Sequence, residues 1–168
     1  MSYYLLIRGP LGIGKTTISK ILSKKLKAEY FSMDKILADN KLDNRGDESC
    51  IPARNFVKAN EIILPEIKKY LEKGTIVVLD GCFYHKEQIS HLEKNLKFKQ
   101  LVFDLKAPIE ICIERDSKRH KVYGEGAAYA VYNLVSKFNY GAPINTEGKT
   151  SKQVVANILT YLPEQKPK

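Results

Sequence analysis

Short β-type runs alternate along the chain with longer stretches whose apolar positions recur at helical spacing. Tyr3-Tyr4-Leu5-Leu6-Ile7 is aromatic and branched with no polar alternation, the pattern of a strand buried on both faces. A glycine loop follows, then Ile18, Ile21, Leu22 and Leu26 on one helical stripe. Glu29-Tyr30-Phe31-Ser32 predicts a short second strand, and residues 33–55 are the least regular part of the chain. Phe56, Ile63, Ile67 and Leu71 predict a helix closed by Gly74, where a C′ glycine is favoured. Thr75-Ile76-Val77-Val78-Leu79 is the strongest strand and runs into Asp80-Gly81. Ile89, Leu92 and Leu96 mark a helix, and residues 100–105 a further strand. Pro108 opens a helix that runs to about Arg119, proline being suited to a first turn. Residues 127–138 read as helical, Pro143-Ile144-Asn145 as a weak last strand, and Val154, Val155, Ile158, Leu159 and Leu162 as a final amphipathic helix.

Such alternation implies parallel pairing through right-handed crossovers. Continuous apolar strands imply helices on both faces, hence a three-layer α/β/α sandwich. A ligand then belongs at the carboxyl ends of the strands. The expected organisation is one domain over residues 1–162 with a short polar tail over 163–168.

Composition narrows the class. The 168 residues carry 28 Lys+Arg against 19 Asp+Glu, a formal charge of +9. With 43% hydrophobic residues the chain has the apolar surface to fold. No apolar run approaches the roughly 18–20 residues of a membrane span, and the start does not read as a signal peptide. Three scattered cysteines, Cys50, Cys82 and Cys112, form neither a disulfide framework nor a zinc-type pair, so a reducing, cytoplasmic setting is expected. The positive charge suits an anionic ligand, but from net charge alone a lysine-rich solvated surface is the favoured account.

The chemistry begins at Gly9-Pro10-Leu11-Gly12-Ile13-Gly14-Lys15-Thr16, which satisfies GxxxxGK[ST], the Walker A pattern, between an apolar strand and an amphipathic helix. Glycines let backbone N–H groups turn inward around phosphate, and the helix N-terminus adds its positive end. Gly9, Leu11, Gly12, Ile13, Gly14, Lys15, Thr16 and Thr17 are the candidate nucleotide-binding positions; Pro10 supplies no N–H. Lys15 is expected to neutralise the β and γ phosphates, and Thr16 to ligate Mg²⁺. Of the carboxylates at strand ends, Asp80 suits a cation-holding role. Asp34 suits a general base or substrate anchor, with a share in the metal site, against the simpler reading of a helix cap. Asp104 is a weaker third candidate. Arg115 and Arg119, in the basic run Arg115–Lys121, are candidates to stabilise charge on the transferring phosphoryl group, against a plain helix C-terminal role. Arg45 and Arg54 are weaker candidates for gripping an acceptor.

The Walker A segment, Asp34, Val77-Val78-Leu79-Asp80-Gly81 and the Arg115–Arg119 run together resemble the small-molecule P-loop kinases of the nucleoside-monophosphate-kinase-like superfamily. Within it, the chain most resembles adenylylsulfate kinases, zeta-toxin-like kinases and polynucleotide kinases. The resemblance implies a P-loop NTPase fold with a five-stranded parallel sheet of order 2-3-1-4-5, ATP as donor, Mg²⁺, a lid at about residues 116–126 and an acceptor-binding segment at about 35–60. Cys112 to Lys118, with Tyr123 beyond, looks like the adenylylsulfate-kinase approach to the lid. It gives Arg115 a place against adenine. Ile144-Asn145-Thr146 and Ser151 are similar to the ending of those enzymes. Ser32-Met33-Asp34 stands where they carry Asp-Gly-Asp, and Asp80-Gly81-Cys82-Phe83 is closer to the polynucleotide-kinase-like members. The leading expectation is ATP-dependent phosphoryl transfer to a hydroxyl or phosphate of a small metabolite or nucleotide. A nucleic-acid end as acceptor ranks second, and a non-catalytic nucleotide-binding regulator third.

Overall fold

A computed structural model describes residues 2–118 and 123–163. Its element order is β1 (Tyr3–Arg8), α1 (Lys15–Leu26), β2 (Glu29–Ser32), α2 (Met33–Asp39), α3 (Ala53–Glu72), β3 (Val77–Gly81), α4 (Lys86–Asn95), β4 (Lys99–Lys106), α5 (Ile109–Ser117), α6 (Glu125–Ser136), β5 (Ala142–Asn145) and α7 (Ser151–Leu159). The five strands form one sheet in the order β2-β3-β1-β4-β5, every pair parallel. This is the α/β architecture and strand order expected of a P-loop fold.

β1 is central and every one of its residues is buried. Its alternating side chains feed two separate cores. Tyr4 and Leu6, with Val77 and Leu79 of β3, pack under α2, α3, α4 and α6. Tyr3, Leu5 and Ile7, with Val78 of β3, pack under α1, α5 and α7. Register fixes which carboxylates share a face. Ile7 lies beside Asp80, and Ser32 beside the same residue, while Arg8 lies beside Asp104. Asp80 therefore projects on the α1 side and Asp104 on the α6 side.

Two differences from the sequence reading matter for the site. The irregular stretch 33–55 contains α2. Its N-cap is Ser32, whose Oγ accepts from the Lys35 N–H at 3.4 Å, so Asp34 is a first-turn residue and not the cap. β3 starts at Val77, where its pairing with Tyr4 and Glu29 begins, and not at Thr75; it runs as expected into Asp80 and Gly81, the latter matched to Arg8. Gly74, in a left-handed conformation (φ 83°) just after the cap residue Lys73, ends α3 as expected.

Candidate active site

The loop between β1 and α1 is shaped by backbone that only glycine adopts readily. Gly12 (φ 75°) and Gly14 (φ 99°) both lie in the left-handed region. A Cβ on Gly12 would stand 2.0 Å from the Cys112 carbonyl oxygen, so α5 rests directly against the loop. Gly14 caps α1 without a side chain, and the first-turn N–H groups, Thr16 and Thr17 among them, have no acceptor within the helix. They lie at the positive end of the helix dipole, an anion-binding arrangement. The loop is folded back on itself: the Lys15 Nζ donates to the Pro10 carbonyl at 2.8 Å. Leu11 and Ile13 anchor it in the two cores, and Gly9 sits tightly against Leu105 and Ile13.

Thr16 and Asp80 meet. The Thr16 hydroxyl donates to Asp80 Oδ2 at 2.7 Å, and the Tyr30 hydroxyl donates to the same oxygen at 2.9 Å. Burial and then the Asp80 charge push the Tyr30 phenol well above its ordinary pKa, so it stays a donor. The donor set is oxygen only, which fits a hard divalent cation such as Mg²⁺. That ion takes one or two protein oxygens and completes its shell with water and substrate phosphates. Among the described residues no group of three or more His, Cys, Asp or Glu could hold a metal by itself, so phosphates would be needed to complete this one.

Lys15, Asp34 and Asp80 share one neighbourhood, reported by the Cys82 thiol at the end of β3. Burial pushes that thiol up to about 11, the Lys15 ammonium opposes the rise, and the charges of Asp34 and Asp80 reinforce it. Asp34 is exposed, in the first turn of α2. The tips of β1, β2 and β3 thus gather a lysine, a threonine and two carboxylates.

Arg115 lies on the other side of the loop. Its guanidinium donates to the Ile13 carbonyl at 3.4 Å, to Thr146 Oγ1 at 3.2 Å and to the Thr146 carbonyl at 3.2 Å. With Gly14, Lys149 and Val154 these residues line a cavity of about 240 Å³ between the loop and the β5–α7 connection. Arg119 lies outside the described residues, as does the middle of the expected lid. Beside those residues, the buried Asp116 carboxylate accepts from the Tyr123 and Gly124 N–H groups at 3.1 and 3.3 Å.

Asp104 is not part of the site. It is 1% exposed, ion-paired to the fully buried Arg8 at 3.0 Å, and accepts from the Tyr140 and Gly141 N–H groups at 2.9 and 3.4 Å. β4 runs two residues past it, and it faces α6. Of the arginines considered for an acceptor, Arg54 is paired to Glu48 at 2.7 Å on the exposed rim. Sequence reasoning passed over Tyr30 and gave Thr146 no role. Tyr30 and Ser32 alternate on one face of β2, which was a usable signal once Asp80 had been placed next to Ser32.

Comparison with known proteins agrees with this geometry. The profile of a family described as an AAA domain matches residues 5–128. A shikimate kinase of Francisella tularensis subsp. novicida (strain U112) is 25% identical, with 94% of this chain and 93% of that protein aligned. The structure of Acinetobacter baumannii shikimate kinase in complex with shikimate superposes with a TM-score of 0.65 at 18% identity, covering 95% of this chain and 92% of that one. A gluconokinase from Sinorhizobium meliloti 1021 superposes with a TM-score of 0.67 at 11% identity, covering 94% and 90%. With its glycine-shaped loop, Lys15 and the strand order β2-β3-β1-β4-β5, the chain belongs to the AAA-domain family matched over residues 5–128, as a P-loop kinase of the nucleoside-monophosphate-kinase-like type.

Proposed function

We propose that this kinase transfers the γ-phosphoryl group of ATP to a hydroxyl of a small metabolite. The observation that carries the reading is the convergence of Lys15, Thr16, Asp34 and Asp80 at three adjacent strand tips around a loop built to hold phosphate. The relatives named for shikimate and gluconate support a small hydroxylated acceptor.

In this reading the loop N–H groups and the α1 N-terminus bind the β and γ phosphates, and Lys15 leaves the Pro10 carbonyl to neutralise them. Thr16 and Asp80 would hold Mg²⁺, with Asp34 as a further carboxylate for it. Bound there, the ion would supply charge neutralisation on the phosphates. Asp34 orients the acceptor hydroxyl and takes its proton as the new O–P bond forms and the bond to the β-phosphate oxygen breaks. Arg115, held by Thr146 and the Ile13 carbonyl, forms one wall of the cavity that takes the nucleotide base. Arg119 remains a proposed phosphate contact from the lid segment, and residues 35–60 the acceptor-selecting segment.

The experiment is a screen of hydroxylated metabolites that follows ADP release with ATP and Mg²⁺ supplied. One acceptor class should raise ADP release well above the acceptor-free rate, and Lys15→Ala should abolish the increase. Release that no acceptor stimulates, or that survives Lys15→Ala, contradicts the reading.

A further inference from the structure

We propose that Tyr30 is a positioning residue for the cation, acting through the Asp80 carboxylate; the inference rests on the phosphoryl-transfer reading above. Two hydroxyls converge on one oxygen of that carboxylate. Thr16 donates to Oδ2 from α1, and Tyr30 donates to it from the edge strand β2. Neither bond uses Oδ1.

The geometry follows from register. Ser32 of β2 lies beside Asp80 of β3, and Tyr30 lies beside Val78, so Tyr30 and Asp80 project on the same face two residues apart. A phenol spans that offset, whereas a serine or threonine at position 30 would fall short.

A Walker A threonine can give an oxygen lone pair to a cation only while its proton is held elsewhere. Here Asp80 Oδ2 holds it. Turning the carboxylate away from this orientation would release the threonine. Tyr30, bonded to the same oxygen from another element, opposes that turn and holds the oxygen toward Thr16. Partners of this outer kind set metal affinity without touching the metal.

The test is calorimetric titration of a non-hydrolysable ATP analogue into wild type and Tyr30→Phe, with Mg²⁺ and with a chelator. The phenylalanine keeps the ring and removes only the donor. Affinity in chelator should stay within about twofold, while the gain produced by Mg²⁺ should shrink about tenfold and half-saturation should need correspondingly more Mg²⁺. Thr16→Ala, as a reference, should lose the Mg²⁺ gain altogether. An unchanged Mg²⁺ gain in Tyr30→Phe overturns the inference while leaving the kinase reading intact. Equal losses with and without Mg²⁺ also overturn it, since they make Tyr30 a packing residue. If wild type shows no Mg²⁺ gain, the kinase reading fails first. Should Tyr30→Phe melt early, Tyr30→His, which keeps a ring donor, decides: partial recovery of the Mg²⁺ gain supports the inference, and none at restored stability overturns it.

Discussion

Two buried aspartates sit near the ends of the parallel strands that flank β1 and are held in opposite ways. Asp80 on β3 takes its two hydrogen bonds from the Thr16 and Tyr30 hydroxyls. Asp104 on β4 is matched by a guanidinium and two backbone amides. Neutral donors fix a carboxylate and leave its charge to attract a cation; an arginine cancels it. The Arg8 node goes further, since its guanidinium also donates to the Phe83 carbonyl at 2.9 Å and the Val135 carbonyl at 2.7 Å, and stacks on Phe138. It ties β1, the segment after β3, β4 and α6 together beneath the sheet. Strand parity makes the difference: Asp80 is level with Ile7, Asp104 with Arg8, and adjacent β1 residues face opposite layers.

Exchanging charge at the two positions separates the roles most sharply. Asp80→Asn should keep its hydrogen bonds and most of its stability, within about 1 kcal/mol, and lose Mg²⁺-dependent turnover by about a hundredfold or more. Asp104→Ala strands the Arg8 charge in a dry site and should cost about 3–5 kcal/mol in denaturant unfolding. Replacing both partners, Arg8→Met with Asp104→Leu, should recover most of that loss. Equal stability losses at Asp80 and Asp104 would break the comparison.

Gly12→Ala comes next. It places a Cβ against the Cys112 carbonyl and forces alanine to a φ of 75°. Strain of about 1–3 kcal/mol should appear mainly as weakened nucleotide binding, because the loop is what must move. Titration of ATP against this variant checks it, and unchanged affinity would show that α5 yields instead.

The smallest effect belongs to the core under α2, α3, α4 and α6. Burial raises the Tyr4 and Tyr84 phenols and the Cys82 thiol above their ordinary values of 10.0 and 9.0. A raised pKa means the folded state holds the proton longer, so this stability is complete below the unfolded pKa and lost as pH rises. The unfolding midpoint should be insensitive to these groups at neutral pH. It should fall from about pH 9 upward, through the Cys82 value of about 11. A midpoint that holds to pH 11 contradicts their burial.

Most element positions and the phosphate loop were legible because they rest on local signals: continuous apolar runs, helical spacing, and glycines before Lys15; the sheet order came only through the resemblance to P-loop kinases. Asp104 was less legible, since its partner Arg8 is 96 residues away and parity across β1 needs the register. Tyr30 was hidden for the same reason. α2 is only seven residues long, so its helicity depends on the Ser32 cap and the burial of Met33 and Leu37, which spacing alone does not reveal. Residues 35–60, proposed to select the acceptor, carry no local pattern for it, because specificity is a matter of which side chains meet across distant loops.

The central claim is that the turn from β1 into α1 holds the triphosphate through Lys15. Calorimetric titration of ATP with Mg²⁺ into wild type and Lys15→Ala, beside their melting curves, tests it directly. The account predicts saturable binding to wild type, at least about tenfold weaker in Lys15→Ala, with the melting midpoint preserved. Identical ATP affinity in the two proteins, or none in wild type, would contradict it.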